Sequence, residues 1–249
     1  MEKVRFPGNR GLVLCGDLHM PDNGNNFPCL VVCHGFRGSK EGSGCAAVLA
    51  DKLAGLGIMA LRFDFAGTGE SAGDFADVTL SGYIQDLAAA LDFISTVTQG
   101  KLIVLGRSFG GTTAICEASH DRRVAAVCTW AAPVDLEETF IKPARPLLDK
   151  PGGLFEITGE SGHYLLKRGF FEDLLNHNVI AAAGKIPPRP ILIVHGTADE
   201  TVSFSQGVRL YESLGGQGSK LFIEGADHRF LNTYELVERE TIGWAISII

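Results

Sequence analysis

The sequence lacks the features of several large protein classes. Among its 249 residues, no run reaches the length of about eighteen apolar residues that a membrane-spanning helix needs. The first seven residues contain no apolar core of a secretory signal. No stretch gathers a stripe of Lys and Arg, and the net charge is −7, so nucleic acid is not an expected partner. These absences predict a soluble, cytoplasmic protein that acts on a small, uncharged or weakly charged molecule.

The six cysteines do not follow the paired C-x-x-C spacing of metal and redox sites. Three of them lie inside apolar runs, where a free thiol behaves as a small hydrophobic residue. We therefore predict buried free thiols in a reducing compartment. A metal site built from Cys29, Cys33 and His34 is the alternative, because these three side chains are close in sequence.

Short apolar runs alternate with longer amphipathic stretches through most of the chain. This alternation is typical of an α/β protein with a mainly parallel sheet and helices on both faces. Apolar runs predict strands at 12–18, 29–34, 58–63, 102–105, 124–130, 191–194 and 220–223. Helical spacing predicts helices at 44–56, 80–97, 112–119, 204–214 and 234–248.

The alternation is interrupted once, between residues 133 and 188. This interval is rich in proline and contains a hairpin-like stretch at 155–161 and a short helical piece at 170–175. We interpret it as a cap over a core formed by residues 1–132 and 189–249. Its aromatic residues either line a substrate site or pack the cap onto the core: Phe140, Phe155, Tyr164, Phe170 and Phe171. Tyr164 and His163 are the candidates for holding a polar group of an acyl moiety.

A nucleophile is indicated where the run Leu102–Leu105 stops at Gly106-Arg107-Ser108-Phe109-Gly110. A strand that turns sharply into a helix at a Gly-x-Ser-x-Gly sequence exposes the serine hydroxyl at the edge of the sheet. The two glycines allow the strand and the helix to approach closely. Ser108 is therefore predicted to be a catalytic nucleophile, and the alternative is a surface serine in a glycine-rich loop.

A serine nucleophile needs an imidazole to take its proton and a carboxylate to orient that imidazole. Asp199 and His228 each follow a predicted strand, at the sheet edge where Ser108 also emerges. Asp199 could instead cap a helix that begins near Ser203, and His228 could be a solvated loop residue. Asp227 and Asp135 are the rival carboxylates.

Five short motifs together resemble the α/β-hydrolase superfamily. They are His34-Gly35-Phe36, the Phe63–Ser71 stretch FDFAGTGES, the Gly-Arg-Ser-Phe-Gly turn, His195-Gly196-Thr197-Ala198-Asp199 and Asp227-His228-Arg229-Phe230. Within that superfamily the chain is similar to bacterial cinnamoyl (feruloyl) esterases and to serine-aminopeptidase-like hydrolases. The resemblance covers about residues 25 to 245.

The resemblance implies a mostly parallel central sheet with a small cap inserted after the sixth strand. It also implies that the backbone NH groups of Phe36 and Phe109 form an oxyanion hole. The expected activity is hydrolysis of small to medium carboxylic esters, aryl or hydroxycinnamoyl esters among them, through an acyl-enzyme on Ser108 and without a metal or organic cofactor. A peptidase or thioesterase of the same fold is the alternative, and a non-catalytic receptor of the same fold is an alternative of another class.

Other residues near these motifs are interpreted as structural. We expect His34 to brace its loop, and Arg62 and Asp64 to fix the neighbouring loop through ion pairs or hydrogen bonds. Arg107 departs from the His or aromatic residue often found before the nucleophile in the resembling esterases. A homodimer formed through the cap or an edge strand is compatible with the sequence.

Overall fold

Eight strands form one central sheet in the computed structural model, which describes residues 1–159 and 162–249. Its strands are β1 Glu2–Pro7, β2 Val13–His19, β3 Cys29–Cys33, β4 Met59–Phe63, β5 Leu102–Arg107, β6 Val124–Trp130, β9 Ile191–Gly196 and β10 Ser219–Ile223. They lie in the order β1-β2-β4-β3-β5-β6-β9-β10. The pairs β1–β2 and β2–β4 are antiparallel, and all the other pairs are parallel. The predicted α/β class with a mostly parallel sheet is confirmed.

Helices cover both faces of this sheet. They are α1 Cys45–Gly55, α2 Leu80–Val97, α3 Phe109–Ala118, α4 Lys142–Leu148, α5 Arg168–Leu174, α6 Val179–Ala183, α7 Phe204–Ser213 and α8 Tyr234–Ile248. Buried residues of α2, α3 and α7 belong to one hydrophobic cluster, and those of α1 and α8 belong to a second. Because the inner strands contribute to both clusters, they are apolar on both sides, as a covered parallel sheet requires.

The segment between β6 and β9 contains a turn of π-helix at Glu137–Ile141, then α4, α5, α6 and a separate two-stranded hairpin. The hairpin pairs β7 Leu154–Gly159 with β8 Gly162–Lys167. The predicted hairpin at 155–161 thus overlaps β7, while its last two residues, Glu160 and Ser161, lie outside the described residues. Buried apolar side chains of this segment join the same cluster as α2 and α3. We therefore propose that residues 133–188 are a cap packed on the core of residues 1–132 and 189–249.

All six cysteines are free, and five of them are buried. Burial raises the pKa of the Cys29 and Cys33 thiols far above their usual range. Within the described part of the chain, no cluster of three or more His, Cys, Asp or Glu side chains is arranged to hold a metal ion. No helix in residues 1–159 and 162–249 is both long and apolar enough to cross a membrane.

Glu117 is a buried carboxyl group in α3, with its side chain 3% exposed. Burial, aided by the nearby Asp121 carboxylate and opposed by Arg123, raises its pKa from 4.5 to about 7. The folded protein therefore binds a proton here more tightly than the unfolded chain does. Stability contributed by the protonated form is lost as the pH rises from about 4.5 to about 7.

We expect Glu117→Gln to remove this loss, which amounts to about 3 kcal/mol for a shift of this size. The free energy of unfolding, measured in denaturant at about pH 5 and about pH 8, should fall between the two values in the parent and much less in the variant. Glu172→Gln, at an exposed position, is the control. An equal fall in parent and Glu117→Gln would contradict the assignment.

Candidate active site

Ser108 lies in the turn that joins β5 to α3. Its backbone has φ of 51° and ψ of −125°, a conformation that residues other than glycine rarely adopt. The turn is held because the Ser108 amide donates to the carbonyl oxygen of Trp130 at 2.7 Å, and the Ser108 carbonyl accepts from Gly111 at 2.8 Å. Ser108 as a whole residue is only partly buried.

Two glycines allow this turn because no side chain fits where they lie. A Cβ on Gly106 would be 2.2 Å from the carbonyl oxygen of Gly110. A Cβ on Gly110 would be 2.4 Å from the carbonyl oxygens of both Cys33 and His34. The first turn of α3 therefore packs directly on the backbone ends of β5 and β3.

The structure brings Asp199 and His228 together beside Ser108. His228 Nε2 lies 3.1 Å from Ser108 Oγ. His228 Nδ1 lies 2.9 Å from Asp199 Oδ2 and 3.1 Å from Asp199 Oδ1. An imidazole that donates from Nδ1 to a carboxylate presents the lone pair of Nε2 to the hydroxyl, as a general base must.

Asp199 is enclosed, with its side chain 0% exposed, whereas the His228 side chain is 11% exposed. Burial by itself raises the pKa of Asp199. Hydrogen bonds from His195 and His228, together with the backbone NH of Val202, outweigh burial and hold the pKa of this carboxyl well below its usual range. Asp199 is therefore ionised throughout the neutral pH range.

The three candidate carboxylates, Asp199, Asp227 and Asp135, have different hydrogen-bond partners. Asp199 Oδ1 accepts from the amides of Thr201 and Val202, so Asp199 closes its own loop as well as pairing with His228. Asp227 accepts from backbone amides of its own turn, those of Arg229 and Leu231. Asp135 accepts from the Glu138 amide and pairs with Arg209 at 3.2 Å. Of the three carboxylates, Asp199 is the one bound to the imidazole.

Two backbone amides adjoin Ser108. Phe109 is the first residue of α3, where a helix leaves its NH without an internal acceptor. Phe36 follows Gly35, at which a Cβ would be 3.2 Å from Ser108 Cβ. Within the described residues, neither amide donates to another group of the protein. Both are thus unused donors next to the hydroxyl.

His34 and Asp64 hold the loop that carries Phe36. His34 Nδ1 donates to the Gly35 carbonyl at 2.8 Å, and His34 Nε2 accepts from the Phe65 amide at 3.3 Å. Asp64 accepts from the Lys40 amide at 2.6 Å and from the Glu70 amide at 2.9 Å. These bonds join the loops after β3 and β4, as the sequence led us to expect.

Buried charged side chains extend the hydrogen-bond network of His34 and Asp64. Arg62, 2% exposed, pairs with Asp17 at 2.9 Å and donates to the Lys40 carbonyl at 2.7 Å. The Lys40 ammonium lies 2.8 Å from both Glu41 and Glu70. Burial lowers the pKa of Lys40, but the hydrogen bonds from these carboxylates raise it well above its usual range. Because Arg62 and Lys40, the two cations described here, each have an acidic partner, the network fixes the loop through paired charges.

Four phenylalanine rings form one cluster next to Ser108. Phe36 and Phe109 contribute from the two amide-bearing segments, and Phe140 and Phe170 from the proposed cap. All six ring pairs have centroids between 5.0 and 5.8 Å apart. Phe109 and Phe170 are fully buried, so they pack the cap onto the core, while Phe36 and Phe140 keep partly exposed surface.

The remaining candidates of the proposed cap lie outside this cluster of four rings. Tyr164 contacts Phe75 at 5.1 Å between ring centroids, and the Arg37 guanidinium lies 5.4 Å from its ring. His163 is 70% exposed and pairs with Glu156 at 2.9 Å on the surface of the hairpin. Phe155 and Phe171 contact each other and are buried, so packing is the role that their surroundings support.

Sequence reasoning missed several residues around the site. Arg37 follows Phe36 and covers the rings of Phe36 and Tyr164. Glu200 accepts from the His228 amide at 3.3 Å. His195 lies 3.3 Å from Asp199. Of these, Glu200 had a usable signal in the sequence, because it directly follows Asp199 in the same loop.

A cavity of about 390 Å³ lies between the Asp199 loop and the proposed cap. Its lining includes Glu138 from the cap side and Asp199, Glu200 and Gln206 from the core side. Glu138 and Glu200 make this cavity acidic. Ser108 and His228 are not among the described residues that line it, so it adjoins Asp199 rather than Ser108.

Several known proteins are similar to this chain in sequence. Residues 25–156 match the family described as serine aminopeptidase, S33. The uncharacterized protein PA2218 of Pseudomonas aeruginosa is 26% identical over 95% of this chain and 76% of its own length. The mitochondrial palmitoyl-protein thioesterase ABHD10 of Rattus norvegicus is 22% identical over 84% of this chain and 71% of its own length. The chain spans about half the length of several other curated relatives that it matches.

Among solved structures, Est1E from Butyrivibrio proteoclasticus with bound ferulic acid superposes with a TM-score of 0.84. The two chains are 24% identical, and the superposition covers 98% of each. The agreement over almost the whole chain includes the segment between β6 and β9.

We expect Gly106→Ala to destabilise the protein and to displace Ser108. The new Cβ would meet the Gly110 carbonyl oxygen at 2.2 Å, a backbone contact that no side-chain rotation relieves. Overpacking of this kind costs about 1–3 kcal/mol or more, which thermal unfolding would detect as a lower midpoint. Gly243→Ala in α8, where nothing lies within 4 Å, is the matched control and should unfold at or above the parent midpoint. Equal midpoints for the parent and Gly106→Ala would refute this packing argument.

Proposed function

Because the chain belongs to the serine aminopeptidase S33 family of α/β hydrolases, we propose that it hydrolyses small to medium carboxylic esters through an acyl-enzyme on Ser108. One observation carries the proposal: a continuous chain of hydrogen bonds runs from Ser108 through His228 to Asp199. The partial exposure of Ser108 at the sheet edge supports it further.

In the first half of the reaction, Ser108 Oγ attacks the ester carbonyl carbon while its proton passes to His228 Nε2. The resulting imidazolium is stabilised by Asp199, which stays ionised and accepts from Nδ1. The tetrahedral intermediate then collapses, and the C–O bond to the alcohol breaks. The departing alkoxide takes the proton from His228 Nε2, which leaves Ser108 acylated.

Negative charge develops on the carbonyl oxygen during this attack. We assign its stabilisation to the backbone NH groups of Phe36 and Phe109, whose donors have no other partner within the described residues. Such preorganised donors contribute most when they need no rearrangement. The brace made by His34 and Asp64 supports that role, because it holds the Phe36 loop at both ends.

In the second half, water replaces the alcohol. His228 Nε2 takes a proton from the water, whose oxygen attacks the acyl carbon. Breakdown of the second tetrahedral intermediate releases the carboxylic acid and returns the proton to Ser108 Oγ. All proton transfers use one imidazole, so the reaction needs no further acid or base.

The surroundings favour an acyl group with an apolar or aromatic body. Phe36 and Phe140 present partly exposed rings near Ser108, and Tyr164 adds an aromatic ring with a polar tip. Est1E, the structurally similar protein, binds ferulic acid, which supports testing hydroxycinnamoyl esters here. We retain His163 as a weaker candidate for substrate contact, since it is exposed and already paired with Glu156.

We expect Ser108→Ala to lower kcat for p-nitrophenyl acetate by about 10⁴ or more, because the variant cannot form an acyl-enzyme. The same change should abolish labelling by a fluorophosphonate probe. Ser247→Ala, at an exposed position in α8, is the control and should keep full activity. Unchanged turnover in Ser108→Ala would remove Ser108 from the mechanism. Absence of both turnover and labelling in the parent would favour the non-catalytic alternative.

The bond cleaved can be identified with three matched substrate sets: aryl esters, acyl-CoA thioesters and aminoacyl-p-nitroanilides. We expect the largest kcat/KM for aryl esters, with hydroxycinnamoyl esters above acetate because of the aromatic surroundings. The similarity to a palmitoyl-protein thioesterase makes thioesters the second candidate. A higher kcat/KM for acyl-CoA or for anilides would reassign the activity to a thioesterase or a peptidase.

A further inference from the structure

A second histidine lies behind the proposed catalytic carboxylate. His195 is in β9 and is 1% exposed. Its Nε2 lies 3.0 Å from the carbonyl oxygen of Val202 and 3.3 Å from Asp199 Oδ2. Neither the proposed proton transfers nor the oxyanion hole uses this residue.

The contacts of His195 determine which ring nitrogen carries its proton. A carbonyl oxygen can only accept a hydrogen bond, so Nε2 must be the NH donor. Nδ1 is buried and has no hydrogen-bond partner within the described residues. A proton there would leave a buried donor unsatisfied, which is unfavourable. The neutral tautomer with hydrogen on Nε2 is the one that fits.

The single Nε2–H is shared: its hydrogen bond goes to the Val202 carbonyl, and Asp199 Oδ2 lies 3.3 Å from the same nitrogen as a second, longer contact. Oδ1 accepts from the amides of Thr201 and Val202 at 2.9 and 2.8 Å. Oδ2 faces two imidazoles, with His228 Nδ1 at 2.9 Å and His195 Nε2 at 3.3 Å. The carboxylate therefore cannot rotate without losing a donor.

We propose that His195 is a positioning residue, whose Nε2–H holds Asp199 Oδ2 in line with the Nδ1–H of His228. The proposal rests on the proposed function, because it requires Asp199 to orient a catalytic His228. His195 touches neither substrate nor Ser108. It affects the reaction only by fixing the direction of the Asp199 carboxylate.

A role of this kind predicts a specific kinetic pattern. His195→Leu removes the donor and keeps an apolar side chain in the buried site, so kcat should fall by about tenfold or more while KM stays near the parent value. His195→Gln carries an amide NH₂ that can reach the position of Nε2, and it should recover most of kcat. If His195 only filled space, kcat would not be lower in His195→Leu than in His195→Gln.

Gly207 in α7 offers an independent way to move the ring. A Cβ on Gly207 would be 2.5 Å from His195 Nδ1. Gly207→Ala should therefore displace the imidazole without changing its chemistry, and it should lower kcat in the same way as His195→Leu. Gly243→Ala, a helical glycine with open space around it, is the matched control with parent activity expected.

Proton NMR provides a readout that does not depend on turnover. The Nδ1–H of His228, bound to a carboxylate, should give a strongly deshielded signal in the parent and lose it in Asp199→Asn. We expect this signal to move upfield in His195→Leu and in Gly207→Ala, and to return in His195→Gln. Charged groups near Asp199 in the described part of the chain include Arg107, Glu200 and Glu138, so all spectra are compared at one pH.

The outcomes separate this proposal from the proposed function. Full activity in Ser108→Ala rejects the proposed function. Loss of activity in Ser108→Ala, combined with parent kcat and an unmoved His228 signal in His195→Leu, leaves the proposed function standing and overturns the role of His195. If kcat falls equally in His195→Leu and His195→Gln, and each fall parallels a lower thermal midpoint, His195 acts in packing alone. That result would also overturn the positioning role.

Discussion

Direct backbone contact between the start of α3 and the ends of β3 and β5 is the constraint on which the site depends. The contact requires Gly106 and Gly110, because a side chain at either position would overlap a carbonyl oxygen. It places Ser108 at the sheet edge, with the Phe109 amide directed by the first turn of a helix. The same contact brings the loop after β3 next to Ser108, since Gly110 packs on the carbonyl groups of Cys33 and His34.

The rest of the proposed site is held by hydrogen bonds in addition to the packing of its aromatic rings. On one side, Asp64 and His34 join two loops and steady the Phe36 amide. On the other, Asp199 collects NH donors from its own loop and from two imidazoles. Buried polar networks of this kind are rigid when every member has a partner. The sheet supplies the scaffold, and these two networks set the direction of the groups on either side of Ser108.

The sequence could predict the sheet and most helices because their patterns are local. The spacing of Tyr83, Leu87, Leu91 and Ile94 predicted α2 with the bounds that the structure has. The family match confirms the resemblance to α/β hydrolases. β1 was missed because it is an edge strand with one buried residue, Phe6, and therefore shows no apolar run.

Other features depend on contacts between distant residues and leave little local trace. α3 begins at Phe109 rather than at Thr112. The sequence pattern missed its first turn because Gly110 and Gly111 have low helix propensity. The pairing of Asp199 rather than Asp227 with His228 depends on how each loop folds on its own amides. His195 could not be distinguished in sequence from an ordinary core histidine, because its significance comes from the 3.3 Å approach to Asp199.

The segment between β6 and β9 shares its apolar interior with the body of the protein. Phe155, Phe170 and Phe171 are buried in the same cluster as the helices beneath them. Swinging the whole segment outward would hydrate these rings at a cost of about 1.5–3 kcal/mol each. The shared interior therefore couples the segment to the body, and we expect the two to unfold together.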